Sequence, residues 1–239
     1  MIPIKKGAEP PELKELRQKA IEKKLSPQDA YDTLKGKRKG IVRQSLLQEQ
    51  GNLCAYCMCR IPRNDVCAGI APIRIEHYIS RNPNDDRDIG QGLDYENLLA
   101  VCNGNIASSD HNHKFDDLTC DAHKKNTDLH KVNPCISETL KSIFYHVDGE
   151  IDAYDPDVKT DLVEILNLNC PKSPIVSERE AALSELILNM NDFQGNDLIN
   201  YCRISLKSFQ DEQDNKTPYQ GILIWYLKSI LEKLTKSKT

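Results

Sequence analysis

Aromatic residues are scarce: 6% of 239 positions, with a single Trp, in a chain that is 39% hydrophobic. That is too little for one large sandwich or barrel and suits a helical protein with a small non-helical insert. Long apolar runs are also missing. None approaches the roughly 18–20 residues of a membrane span, and the opening MIPIKKGAEPP has no apolar stretch of signal-peptide type. A cytoplasmic protein with no membrane partner is the expectation. A net basic balance is absent too: the formal charge is −4, whereas domains dominated by phosphate contacts run basic. No internal repeat and no low-complexity tract occurs. Finally, the nine cysteines are an odd number. In a reducing compartment they read as metal ligands and core thiols rather than disulfides.

What is present is unevenly spread. Residues 1–48 hold twelve Lys or Arg, among them Lys35, Lys37, Arg38, Lys39 and Arg43, against six acids. Asp148–Glu164 holds seven acids and one Lys. The N-terminal part is therefore able to meet phosphates and the later part is not, so overall charge decides little.

Three helical patterns open the chain. PELKELRQKAIEKK places Leu13, Leu16 and Ala20 on one side. SPQDAYDTL starts with Ser26 as N-cap and Pro27 at the first helical position. GIVRQSLLQEQGN aligns Ile41, Val42, Ser45, Leu46 and Glu49, and Gly51 closes it. From Leu53 to about Asp128 short apolar runs, IRIEHYI and NLLAVC, alternate with long polar loops, which a compact domain seldom tolerates without a cross-link. Past Pro134 helical spacing returns in SETLKSIFYHV. A turn, DGEIDAY, precedes DVKTDLVEILNLN, with Val158, Leu162, Ile165 and Leu166 on one face. SEREAALSELILNM follows, with Ser177 and Glu180 as a capping box. GILIWYLKSILEKL ends the pattern with a broad stripe of Ile222, Leu223, Tyr226, Leu227, Ile230, Leu231 and Leu234.

Cys54-x2-Cys57 has the form of a zinc knuckle, a tight turn that sets two thiolates at adjacent corners of a tetrahedron. Cys102 and Cys120 are the best second pair, separated by an unusual 17 residues read as an inserted loop. Cys59 or Cys67 is able to replace one ligand, while Cys135, Cys170 and Cys202 read as small core residues. Between the half-sites lies Glu76-His77. Neighbours on a strand point to opposite faces, so both serve one site only at a strand end where the chain bends, and YISRNPNDD supplies that bend. Phosphodiester hydrolysis needs a base to take a proton from water and a hard divalent cation to neutralise charge. Imidazole suits the first role and a carboxylate holding Mg2+ or Mn2+ the second. The segment CDAHKKNTDLHK begins a helix that offers Asp121 and His123 in its first turn, with Lys124 and Lys125 available to substrate phosphate.

These residues, CAYC…RIEHYIS…DYENLLAVCNGN…CDAHKK, resemble the HNH endonucleases, a ββα-metal fold stapled by a four-cysteine zinc. The flanking phrases IKKGAEPPELKEL, LLQEQGNLCAYC and EILNLN narrow the resemblance to PtuB-like nuclease subunits of Septu and retron-associated anti-phage defence systems. The resemblance implies that His77 is the general base, Glu76 a metal-binding carboxylate, and Asn97 the middle Asn that holds the loop and orients His77. Asp121 matches the last metal-ligand position, where His or Asn is commoner, and His123 is the alternative. His111 and His113, in SDHNHKFDD, have no counterpart there and read as surface histidines or extra contacts. A PtuA-like ATPase is the implied partner, docked on the helical flanks, with retron reverse transcriptase and its msDNA as a further associate.

The expected architecture is thus α+β and mainly helical. Residues 1–52 form a helical N-terminal region, 53–130 the nuclease core with structural Zn2+, and 131–239 a helical region for partner docking. The expected activity is cleavage of DNA or RNA with catalytic Mg2+ or Mn2+ bound at Glu76 and Asp121, leaving a 5′ phosphate. The rival expectations are a non-catalytic zinc-ribbon adaptor that links the ATPase to nucleic acid, and a nuclease acting on RNA such as tRNA.

Overall fold

Apolar periodicity and good caps produce the first three helices. α1 (Pro11–Glu22) opens with Pro in its first turn and buries Leu13, Leu16 and Ala20. α2 (Pro27–Asp32) is capped by the Ser26 hydroxyl, which accepts from the Asp29 amide at 3.1 Å. α3 (Gly36–Glu49) starts one turn earlier than the apolar pattern suggests, because its first turn is basic and exposed; it buries Val42, Leu46 and Leu47. Gly51 follows at φ +64°, the left-handed position that ends helices.

The computed structural model describes residues 1–62, 73–82, 92–105 and 114–236. Among these the protein is mainly helical α+β, with two two-stranded antiparallel sheets. β1 (Ile73–His77) pairs with β2 (Leu98–Cys102) in a register that sets Ile73 opposite Cys102 and His77 opposite Leu98. The buried Gln50 ties the end of α3 to this sheet. Its Oε1 accepts from the Ala100 amide at 2.8 Å, and its Nε2 donates to the carbonyls of Ala100 (2.7 Å) and Leu53 (2.9 Å). α4 (Cys120–Lys124) packs on β2.

Beyond Pro134 the helix expected over SETLKSIFYHV is replaced by a single 3-10 turn, Ser137–Leu140, and a strand, β3 (Ile143–Tyr145). β3 pairs with β4 (Ile151–Ala153), so DGEIDAY is a hairpin turn plus its return strand. The run Ile-Phe-Tyr has strand propensity, and Gly149 sits at φ +88° with the Val176 carbonyl where a Cβ would stand. Those two features override the helical spacing. α5 (Pro156–Thr160) is capped by Asp155 and runs on as a π-turn, Asp161–Ile165, burying Val158, Leu162 and Leu166. The fully buried Asp161 carboxylate accepts the amides of His130, Lys131 and Val132 at 2.7, 2.7 and 2.8 Å, which fixes the chain leaving α4.

Three long helices follow. α6 (Ile175–Met190) begins two residues before Ser177, so the expected capping box does not form; the Ser177 hydroxyl donates back to the Pro174 carbonyl at 3.0 Å. α7 (Gly195–Asp211), which the sequence pattern left unread, buries Ile199 and Cys202. α8 (Gln220–Lys236) buries Ile222, Leu223 and Leu227 and packs on α7 and α6. Cys170 and Cys202 are buried and Cys135 half-buried, as small core residues are. Among the described residues no helix is long and apolar enough to cross a membrane.

Candidate metal centre and candidate active site

The chain brings Cys54, Cys57, Cys102 and Cys120 together, with all four Sγ atoms within 4.8 Å of one another. Cys54 to Cys120 is 3.9 Å, Cys57 to Cys102 3.8 Å and Cys102 to Cys120 3.7 Å. A tetrahedral zinc with bonds of about 2.3 Å has sulfur–sulfur edges of about 3.8 Å, so the four thiols fit Zn2+. The knuckle is shaped by the Cys54 amide donating to the Cys59 carbonyl at 3.0 Å and by Met58 at φ +65°. Cys59 is not among the four, and Cys67 lies outside the described residues. The 17-residue gap is closed at its base. Gly104, at φ +64°, has the Thr119 carbonyl and the Ala122 Cβ where its own Cβ would stand, and its carbonyl accepts the Thr119 amide at 3.1 Å. Cys120 then takes φ +54°, costly for a side-chain residue by about 1 kcal/mol or more, with its amide donating to the Leu166 carbonyl at 2.8 Å.

Directly beside this cluster β1 ends in Glu76 and His77, both buried. His77 Nε2 donates to the Gly92 carbonyl at 3.0 Å, which leaves the lone pair on Nδ1, where the Arg81 guanidinium donates at 2.7 Å. Its ring stands edge-on to Tyr31, 4.6 Å between centroids. Burial pushes the His77 imidazole down to about 4, with the Gly92 carbonyl opposing and Arg81 assisting, so the ring is neutral near pH 7. Gly92 has no substitute here, because a Cβ would lie 1.9 Å from the Pro27 carbonyl oxygen of α2.

Glu76 Oε1 accepts from Lys124 Nζ at 2.8 Å and from the Tyr56 hydroxyl at 3.2 Å. Burial holds its carboxyl well above the usual range. The hydrogen bond and charge of Asp121 reinforce that, and together they outweigh Lys124. Asp121 Oδ2 in turn pairs with Arg74 Nε at 3.0 Å. Asn97 clips the chain just past His77: its Oδ1 accepts the Ile79 amide at 2.7 Å and its Nδ2 donates to the Ile79 carbonyl at 3.0 Å. Its own carbonyl accepts the Tyr78 amide at 2.9 Å. Replacing Asn97 by Ala removes the clip, and thermal unfolding of the variant should show a loss of roughly 1–3 kcal/mol; an unchanged midpoint would mean that the bend holds without it.

The remaining expected site residues fall differently. His123 lies two residues from Asp121, about 200° round the helix. It faces away, stacked on Phe115 at 4.3 Å with Nδ1 bonded to the Ile165 carbonyl at 2.9 Å. Lys124 does not offer its ammonium to the cleft. One turn on from Cys120 it points inward, and its fully buried ammonium is taken by Glu76. Lys125 does line the cleft, its Nζ 4.4 Å from the Phe115 ring centroid. His111 and His113 lie outside the described residues.

Among the described residues the cleft over these groups measures about 700 Å³ and is lined by Lys39, Arg43, Arg74, Arg81 and Lys125, with Glu76 and Asp121 as its carboxylates. Counted over the described residues, its local charge is thus opposite in sign to that of the whole chain. Sequence reasoning passed over Tyr56, Tyr31, Gln28 and Arg81. Only Arg81 carried a signal, a cation four residues past His77 in YISRN.

No family model matches the chain. A protein of Escherichia coli named "Retron Ec83 putative HNH endonuclease" is 25% identical to it over 183 residues, 63% of this chain and 69% of that protein. The two are distant homologues.

Proposed function

We propose that this protein is a metal-dependent HNH endonuclease that hydrolyses phosphodiester bonds in nucleic acid. One observation carries the reading: a neutral imidazole with its lone pair on Nδ1 shares a cation-walled cleft with two hydrogen-bonded carboxyl groups. The distant homologue's name points the same way. In this reading β1, β2 and α4 are the ββα-metal core and the four cysteines hold the structural zinc.

Glu76 and Asp121 fit a hard divalent cation such as Mg2+ or Mn2+: both are oxygen donors, and Asp121 helps to hold the Glu76 carboxyl above its usual range, a repulsion that a bound cation would relieve. When bound, such an ion supplies charge neutralisation at the phosphate and at the departing oxygen. The chain's own residues do the rest. His77 takes a proton from water at Nδ1, while the Nε2–H bond to the Gly92 carbonyl keeps the ring in that tautomer and supports the charge it gains. Asn97 holds the bend that presents it. Arg81, now on Nδ1, is placed to transfer its donors to a phosphate oxygen as water takes its position.

By the same reading the protein is the effector of an anti-phage complex with a PtuA-like ATPase, and α6–α8 offer the docking region. A retron reverse transcriptase and its msDNA belong to that setting. The buried ammonium of Lys124 on Glu76 favours one alternative, a zinc-bearing adaptor whose carboxylate is already neutralised. A cleavage assay separates them. The protein, alone and with a neighbouring ATPase, is offered plasmid DNA and total tRNA with Mg2+ or Mn2+. Metal-dependent cutting establishes the nuclease and identifies its substrate as DNA or RNA; intact nucleic acid under every condition leaves the adaptor.

A further inference from the structure

We infer that α3 carries a second phosphate subsite, Lys39 and Arg43, which binds a nucleic-acid backbone phosphate beside the one being cleaved; this rests on the nuclease reading. The two residues are one helical turn apart, so their side chains share a face, and both line the cleft that holds His77, Glu76 and Asp121. Among the described residues, other cations of the N-terminal half and the cleft have counter-charges that these two lack. Arg17 is bound to Glu9 and Arg74 to Asp121, while Arg38 lies 3.8 Å from Glu15. Among the described residues Arg43 has no ion pair, and its Nε is buried without a hydrogen-bond partner. Lys39 has no ion pair among the described residues either; the Tyr31 ring lies 5.1 Å from its Nζ, and Asp32 reaches it only through its charge. Arg81 lies over the same ring at 4.2 Å.

Among the described residues three cations therefore gather around Tyr31 with no carboxylate in ion-pair contact with any of them. Like charges one turn apart on a helix repel, and partial burial makes that costlier. Burial, then Arg43 and Arg81, push the Lys39 ammonium down, and the charge of Asp32 opposes them without outweighing them. A cleft anion with several acceptor oxygens relieves all three at once, and a phosphodiester reaching His77 would bring neighbouring phosphates with it. The subsite also assigns a use to the basic N-terminal run, which the hydrolytic groups alone leave without one.

The test is binding of a fluorescent 20-base-pair DNA duplex, its single strand and a tRNA by anisotropy, with no divalent metal added and substrate integrity checked on a gel. Salt is varied from 50 to 200 mM. The double variant Lys39→Gln/Arg43→Gln should bind about tenfold more weakly, with the slope of log affinity against log salt reduced by roughly 1–2. Arg43→Lys, which keeps the charge, should stay within about threefold of the unaltered protein. Lys228→Ala/Lys233→Ala on α8, outside the cleft, should change nothing. A folded double variant with unchanged affinity and slope overturns the subsite, and cutting by the unaltered protein would then leave the nuclease reading standing. If the unaltered protein neither binds nor cuts any of the three, both fall.

Discussion

Replacing His77 by Ala should lower the cleavage rate by about 10²–10⁴-fold while zinc content and fold persist. Burial keeps the imidazole unprotonated near neutral pH and the Gly92 carbonyl engages its other nitrogen, so Nδ1 is the atom that takes the proton once Arg81 leaves it. Glu76 cannot stand in for it, being tied to Lys124 and Tyr56 and facing Asp121. The ring contributes no ligand to the cysteine cluster, so metal analysis of the variant should still find about one zinc per chain. Zinc lost together with activity would mean that the two sites are not separable. Undiminished cutting by a clean preparation would remove His77 from the mechanism.

Replacing Cys57 by Ser should have the opposite profile, with loss of zinc and collapse of the core before any question of activity arises. The ligands come from three separate stretches: the knuckle after α3, the end of β2 and the start of α4. Structural zinc in small motifs contributes an apparent ~10–16 kcal/mol, and the net stability of a domain is only ~5–15 kcal/mol. Even a fraction of that loss exceeds what the β1–β2 pair and the five-residue α4 can recover by packing. Circular dichroism should show a lowered or broadened melting transition, and chelation of the unaltered protein should reproduce it. A soluble variant that melts like the unaltered protein with no bound metal would refute this account.

Much of the candidate site's geometry was legible because its residues are concentrated in short stretches. The spacing of Cys54 and Cys57, the Glu76-His77 pair at a strand end and the cysteines closing NLLAVC and opening CDAHKK all follow local rules. So do α1, α2 and the cap at Ser26, where propensity and burial agree. What stayed hidden depends on contacts between distant stretches. The β3–β4 hairpin carries helical spacing, yet its glycine meets the α6 backbone. Lys124 looks like a surface cation in CDAHKKNTD; only the fold shows that Glu76 waits for it 2.8 Å away. Arg43 looks like one charge in a solvated run until the cleft is seen to include it.

The contact between Gly92 and α2 has an evolutionary consequence. The Pro27 carbonyl stands where a Cβ of residue 92 would be, the Gly92 carbonyl holds His77, and Gln28 and Tyr31 hold Arg81. Helices that precede the cysteine cluster thus form part of the wall on which the base is set. A recombination event joining a foreign N-terminal segment near residue 52 would carry the zinc ligands and Glu76-His77 across intact and still misplace the imidazole. Lineages should therefore inherit α2 and the His77 strand together, as one unit of exchange, even where the stretches between them diverge.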